Sequence, residues 1–245
     1  MELTFLEWGL VAFGAFLLGI SKSGIKGIGV FIVTLMAMVF GSKVSTGIVM
    51  PMLIVGDIFA VIYYKRHAQW KYIFILIPWM IVGVLLGVWL GKDLPEESFK
   101  QLMAVIILVS VGLMYWSEKR ESYYFPKSRT FGAGMGTLAG FTTMVGNLAG
   151  PIANIYFLLM RFPKNHFIGT TAYLFFVINL FKLPFHIFSW ETISEETLMI
   201  NLKVLPVQVL GLVVGVALVK KIQEGWYRKM ILILTAIGAV MIFLK

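Results

Sequence analysis

Uncharged apolar runs of about 20 residues recur along this sequence, and they constrain its fold more than any other feature. Residues 72–91, YIFILIPWMIVGVLLGVWLG, contain no charged side chain and could cross the roughly 30 Å hydrocarbon layer of a membrane as one helix. Charged residues make up 13% of the 245 positions, whereas a soluble domain carries about a quarter. The sequence therefore predicts an all-α polytopic membrane protein.

The positive charge of the chain fits a membrane surface better than nucleic acid. The net charge is +9, and the basic residues lie in short loops between apolar runs, where they set orientation and contact lipid headgroups. We therefore expect the lipid bilayer as a partner and no nucleic acid. The sequence has no cysteine and no zinc-ligand spacing, ATP-binding loop or cofactor motif. We expect no metal, no cofactor and no enzyme activity.

The two halves of the sequence align with each other. A shift of 122 residues pairs SGIKGIG with VGNLAGP and places Asp57 opposite Asn179, and a later shift of 128 pairs Gly83 with Gly211. Internal repeats of this kind are common in transporters. The alignment predicts a duplicated architecture.

We predict a first repeat over residues 1–122 and a second over 123–245, each with a glycine-broken leading segment and three ordinary spans. The first repeat contains a hairpin over 3–40 and spans over 44–64, 72–91 and 99–116. The second contains a hairpin over 131–160 and spans over 166–188, 198–218 and 227–244.

Both leading segments are predicted to fold back as hairpins. Between Arg129 and Arg161 lie 31 uncharged residues, about 46 Å as a straight helix, with glycines near the centre. Hairpins place 13 Lys and Arg on one side and five on the other, whereas single crossings divide them eight to ten. Since basic loops favour the cytoplasm, we prefer hairpins, with both termini outside. Each repeat then contains an odd number of segments, which gives the two repeats opposite orientations in the membrane.

The two hairpin turns form the candidate binding site. Irregular backbone within a membrane survives only where protein or water covers it, and a helix that starts there points unpaired N–H groups at the centre. Hydroxyl, amide and lysine side chains add donors and positive charge, which suits a small anion. The candidate residues are Ser21, Lys22, Ser23, Gly24, Lys26, Gly27, Thr142, Thr143, Gly146, Asn147, Asn179 and Lys182.

Plainer interpretations exist for the lysines and glycines of these segments. Lys22 or Lys26 could extend to lipid headgroups if the turn lies near a surface. Glycines spaced by four residues are typical of close helix packing. This interpretation is favoured for the two sets at 83, 87 and 91 and at 132, 136 and 140.

The other polar residues within apolar spans have open roles. A charge at membrane depth costs several kcal/mol and is usually paired or functional. Asp57 could form an ion pair with a lysine, or it could carry a proton that drives transport. Lys182 could be a third anion contact or the partner of Asp57. His186 is interpreted as an interfacial residue rather than a proton relay.

The duplicated hairpins GISKSGIKGIGV and GFTTMVGNLAGPIANIYFL, each followed by a span with a polar residue in its middle, resemble the TauE/SafE family of sulfite and organosulfonate exporters. The resemblance covers essentially the whole chain. It implies a bacterial or archaeal-type secondary transporter for sulfite, sulfoacetate or related sulfonates, which works in export more often than in uptake. It also implies binding around both hairpins. TTMVGN stands where the first hairpin has SKSGIKG, so lysine contacts would come from one repeat only.

The leading hypothesis is a transporter of the cell membrane that exports a small sulfur-containing anion by alternating access. Lys22, Lys26 and Lys182 would contact the anion, since N–H and O–H donors around a lysine complement a sulfonate. The alternatives are an anion channel, which needs a continuous open pore, and an uptake permease for another small anion. A scaffold gives no reason for charges at membrane depth. The glycine-lined spans could support a homodimer.

Overall fold

The computed structural model describes residues 3–118, 129–160 and 162–223, together with positions 226, 229, 230 and 233. Within these residues all regular structure is helical. The predicted span 227–244 lies outside the described residues except at three positions. The α-helices are α1 (Phe5–Lys22), α2 (Gly29–Phe40), α3 (Ser42–Tyr64), α4 (Trp70–Gly91), α5 (Glu96–Glu118), α6 (Arg129–Gly146), α7 (Ala149–Leu159), α8 (Lys164–Phe188) and α9 (Glu195–Lys221).

Five helices in the described part of the chain are long and apolar enough to cross a membrane, namely α1, α3, α4, α8 and α9. Their outward faces carry large apolar side chains, such as Trp89 at 73% exposure and Leu202 at 63%. Soluble proteins rarely expose such surfaces, whereas lipid tails solvate them. The chain is a multi-pass helical membrane protein.

Two helices are too short to cross the membrane alone. Helix α2 has 12 residues and α7 has 11, about 18 Å and 16 Å. Helix α2 folds back on α1, and α7 folds back on α6. In the first turn the backbone φ angles are 134° at Gly24 and 104° at Gly27, and in the second Asn147 has a φ of 55°. Glycine adopts such angles without steric cost, and asparagine tolerates the left-handed region.

The two turns lie toward opposite ends of α3. Tyr64, the last residue of α3, donates its hydroxyl to the carbonyl oxygen of Ser23 at 2.9 Å. Asn147 donates Nδ2 to the carbonyl oxygen of Thr46, near the start of α3, at 3.0 Å. The two turns therefore lie at different levels along α3. Helices α1 and α6 have 18 residues each, about 27 Å, which exceeds half the roughly 30 Å thickness of a hydrocarbon layer.

The pattern of helix contacts supports the predicted duplication. If α1 to α4 correspond to α6 to α9, the contact of α1 with α9 corresponds to that of α6 with α4, and both are present. The contacts of α3 with α9 and of α8 with α4 form a second such pair. Asp57 and Asn179, which the alignment pairs, hydrogen-bond each other, as equivalent residues do beside a two-fold axis. The repeat boundaries and their inverted orientation stay predictions.

Five of the six glycines assigned to helix packing lie where α4 and α6 cross, whereas Gly91 lies against Trp190 and Phe99. A Cβ atom at Gly140 would overlap the carbonyl oxygen of Met80, and one at Gly83 would overlap that of Thr137. Gly211 makes the same kind of contact between α9 and α1. The backbones approach because these positions carry no side chain. The packing interpretation of the glycines at this crossing is confirmed.

We expect Gly140→Ala to lower the free energy of unfolding by about 1–3 kcal/mol. The added methyl group would meet the backbone of Met80, which cannot move unless α4 and α6 separate. Gly134→Ala is the matched control, because open space surrounds a Cβ at that position of the same helix. Thermal unfolding in detergent, followed by circular dichroism, compares the two variants. Equal melting temperatures would contradict the close crossing.

Candidate functional site

Asp57 forms a buried ion pair at the centre of the bundle. Its side chain is 1% exposed, and Nζ of Lys22 lies 2.6 Å from Oδ1. Asn179 donates Nδ2 to Oδ2 at 2.7 Å. Gly56 leaves room for the stem of Lys22 to pass along α3. Of the two roles considered for Asp57, the structure shows the ion pair, with both carboxylate oxygens occupied.

Lys182 holds the second hairpin and is not the direct partner of Asp57. Its side chain is fully buried in α8, and Nζ lies 2.7 Å from Oδ1 of Asn147 and 3.2 Å from Oγ1 of Thr143. Among the described residues no carboxylate lies within ion-pair distance of this ammonium. Lys182 therefore lies directly behind the second turn, bonded to neutral oxygens rather than to a carboxylate of the described residues.

A cavity of about 80 Å³ lies between the two turns. Leu53, halfway along α3, lines it, which places it near the middle of the membrane. About 10–15 Å³ holds one water, so several waters or one small polyatomic anion fit. Seven of the twelve predicted residues line this cavity: Ser21, Lys22, Lys26, Gly27, Thr143, Asn147 and Asn179.

The other five predicted residues do not line the cavity. Ser23 and Thr142 donate their hydroxyls to carbonyl oxygens of their own helices. Gly24 and Gly146 lie against neighbouring side chains and shape the turns. Lys182 lies behind the wall, where it bonds to the second hairpin. These residues support the site without facing it.

Lys26 is the cation that faces the cavity without a counter-charge in the described part of the chain. Its side chain lines the cavity and is 5% exposed. It forms no ion pair there, because Asp57 is taken by Lys22. The position of Lys26 in the first turn, rather than its residue type alone, leaves its ammonium available to a ligand.

Neutral donors complete the cavity wall. Helices α2 and α7 both start there, and the first N–H groups of a helix have no partner within it. Thr143 also lines the cavity, and its hydroxyl oxygen accepts a hydrogen bond from Lys182. A cation, helix starts and a hydroxyl are the kinds of donor that bind small anions.

Asn154 and Phe175 line the cavity although they were not singled out from the sequence. Phe175 places its ring centroid 5.4 Å from Nζ of Lys22, a cation–π contact. Asn154 is 2% exposed, and its Oδ1 has no hydrogen-bond partner. A polar residue within the apolar run PIANIYFLL was the available signal for Asn154. Phenylalanine recurs throughout the spans, so no signal distinguished Phe175.

His186, interpreted from the sequence as an interfacial residue, lies in the last turn of α8. The ring is fully buried, with Nδ1 2.9 Å from Oγ1 of Thr192 and no partner for Nε2. The chain after α8 folds back over the helix end, where the N–H of Thr192 donates to the carbonyl oxygen of His186 at 2.9 Å. Trp190 packs edge-on against the ring, so the residue belongs to the protein interior.

Apolar outer faces, helices broken at two turns and a cavity whose wall includes lysine, threonine and asparagine side chains are typical of a multi-pass membrane transporter. The chain belongs to the sulfite exporter TauE/SafE family, whose model matches residues 11–242. The match includes both hairpin turns, and it confirms the resemblance seen in the sequence. No curated protein and no solved structure matches the chain. Within the described residues, no three His, Cys, Asp or Glu side chains cluster as metal ligands would.

Proposed function

We propose that the chain is a secondary transporter that exports a small sulfur-containing anion across the cell membrane, with Lys26 as the charge partner of the anion. The observation that carries this proposal is the buried ammonium of Lys26 in a cavity without a free carboxylate. An unpaired charge at this depth costs several kcal/mol. A bound anion removes that cost, and the site therefore favours small anions.

The surroundings of Lys26 suit the three oxygens of sulfite or a sulfonate. The starts of α2 and α7 offer backbone N–H groups, and Thr143 offers a hydroxyl. Charge-assisted hydrogen bonds of this kind are about twice as strong as neutral ones. The description of the family, a sulfite exporter, supports a sulfur-containing anion and the outward direction.

The position of the cavity between the two turns supports alternating access. One turn contacts Tyr64 and the other contacts Thr46, at opposite ends of α3. Each hairpin therefore covers the cavity from one side, and opening one at a time would expose the anion to one face of the membrane. The membrane potential favours the export of one negative charge from an inside-negative cell by about 2.3 kcal/mol per 100 mV. Export needs no ATP under these conditions.

Anion binding to the purified protein tests the role of Lys26. We expect titration calorimetry to detect binding of sulfite or sulfoacetate in preference to taurine and sulfate. Lys26→Ala should weaken that binding by roughly 10- to 100-fold, since a hydrogen bond to a charged group contributes about 1.5–3 kcal/mol. Lys203→Ala, which removes the same charge from an exposed position of α9, should bind like the wild type. Equal affinities of Lys26→Ala and wild type would contradict the proposal.

Flux measurements in liposomes separate the transporter from the anion channel. A carrier with alternating access should saturate with substrate, and an anion on the far side should accelerate tracer exchange. A channel conducts without such acceleration and exceeds the rate that conformational changes on the microsecond-to-millisecond scale permit. Ion currents far above carrier rates would reject alternating access while leaving the binding site in place.

A further inference from the structure

We propose that Gly29 and Gly150 are substrate-contacting positions, where the absence of a side chain lets the anion approach the backbone N–H groups of two helix starts. The inference rests on the proposed function and names two further contacts of the same cavity. Gly29 is the first residue of α2, and Gly150 is the second residue of α7. Both line the cavity, and both are half-buried rather than fully buried.

The backbone conformation does not require glycine at either position. The described glycines with positive φ angles are Gly24, Gly27 and Gly41. Gly29 and Gly150 lie within helices and are not among them, so alanine could adopt the same conformation. Gly27 also lines the cavity, but its φ of 104° explains the glycine there. Because alanine is favoured over glycine in a helix, the fold alone would favour alanine at positions 29 and 150.

Helix packing does not require glycine at either position. At Gly83, Gly140 and Gly211 a Cβ atom would overlap the backbone of a neighbouring helix. At Gly29 and Gly150, leaving aside the adjacent residues and the backbone of the same helix, no described atom lies within 4 Å of the Cβ position. The space beside both glycines is therefore open. We assign it to the cavity, because both residues line the cavity wall.

The two helix starts offer hydrogen-bond donors at these positions. No side chain caps α2 or α7, and the first N–H groups of a helix have no partner within it. The Cα–Cβ bonds of a helix are tilted toward its N-terminus, so a methyl group at either position would stand on the side from which an anion approaches. Glycine permits the close approach of a backbone to a ligand.

Lys26 is independent evidence for an anion between these helix starts. Its side chain is 5% exposed, lines the cavity and forms no ion pair with a described carboxylate. An anion that pairs with this ammonium and with the N–H groups of α2 and α7 would receive donors from both hairpins. The turn lysines belong to the first hairpin only, whereas Gly150 adds a contact from the second.

Gly29→Ala and Gly150→Ala test the inference through affinity and stability together, with sulfite and sulfoacetate as probes. In titration calorimetry we expect each variant to bind the anion at least tenfold more weakly than the wild type, about the effect of losing one hydrogen bond to a charged group. We expect each melting temperature in detergent to equal or exceed that of the wild type, since alanine favours the helix and the methyl group meets no neighbour. A purely structural role would not lower the affinity while stability is kept.

Gly134→Ala is the matched control. Gly134 lies on an exposed face of α6 and has the same open space around its Cβ position, but it does not line the cavity. This variant should also keep or raise the melting temperature, and it should bind both anions like the wild type.

Wild-type affinity in either glycine variant would overturn the inference for that position. If Lys26→Ala still loses affinity in that case, the proposed function stands without this inference. A melting temperature well below that of the wild type would overturn it as well, because the space beside the glycine would then not be open. If neither anion binds to the wild-type protein, the proposed function and the inference both fail.

Discussion

Asp57→Asn should lower the free energy of unfolding by about 3–5 kcal/mol, the usual cost of removing one partner from a buried ion pair. The substitution leaves the ammonium of Lys22 buried without a counter-charge, since Asp57 is its ion-pair partner at 2.6 Å. The volume at the site is nearly unchanged, so the loss reports the charge. Unfolding in detergent, followed by circular dichroism against added denaturing surfactant, measures the difference.

The double variant Lys22→Met with Asp57→Asn is the control for this prediction. Methionine fills the space of the lysine stem, and the introduced amide oxygen still accepts from Asn179. Replacing a buried pair by groups of similar volume is often neutral, so most of the stability should return. A double variant as unstable as Asp57→Asn alone would show that the pair is not what stabilises this region.

The same double variant separates the two roles considered for Asp57. Both carboxylate oxygens are occupied, by Lys22 and Asn179, which favours a structural role. The double variant removes one positive and one negative charge, so the cavity keeps its net charge and should bind the anion within about tenfold of the wild type. Substrate flux should persist in liposomes. A variant that folds and binds but does not transport would instead assign proton transfer to Asp57.

Asn147→Ala should also cost about 3–5 kcal/mol. The side chain accepts from Lys182 at 2.7 Å and donates to the carbonyl oxygen of Thr46 at 3.0 Å, and a hydrogen bond to a charged group contributes about 1.5–3 kcal/mol. The backbone φ of 55° adds about 1–2 kcal/mol for an alanine in the left-handed region. Thermal unfolding in detergent measures the sum.

Asn147→Gly divides that sum into its two parts. Glycine adopts a φ of 55° without strain, so this variant loses the side-chain hydrogen bonds alone and should be more stable than Asn147→Ala. Equal stability of the two variants would mean that the backbone of this turn relaxes. If Asn147→Ala unfolds like the wild type, the second hairpin is held by other contacts.

Much of the fold could be predicted from the sequence. The uncharged runs, such as residues 72–91, correspond to helices because a lipid environment requires each backbone to satisfy its own hydrogen bonds. Gly24 and Gly27, which the sequence assigned to a hairpin turn, have positive φ angles in the structure. The alignment that pairs Asp57 with Asn179 anticipated two residues that touch. In each case the signal lies in a short stretch of chain or in its repetition.

The roles of the three membrane lysines could not be predicted in the same way. Lys22 and its partner Asp57 are 35 residues apart in the sequence, as are Lys182 and Asn147. The residues adjacent to each lysine in the sequence do not predict which carboxylate or amide its side chain contacts. Lys22 is used by an ion pair, Lys182 supports the second hairpin, and Lys26 alone faces the cavity unpaired in the described part of the chain.

The sequence by itself determined that this chain is a helical membrane protein, because its uncharged runs are long enough to cross a bilayer and lipid requires them to be helical. Its glycine-rich hairpin motifs also indicated the TauE/SafE family. Only the tertiary structure decided which polar groups are occupied and which remain open to a ligand. That distinction depends on distances between separate helices. Lys26 became the central residue of the site because no carboxylate of the described residues pairs with it.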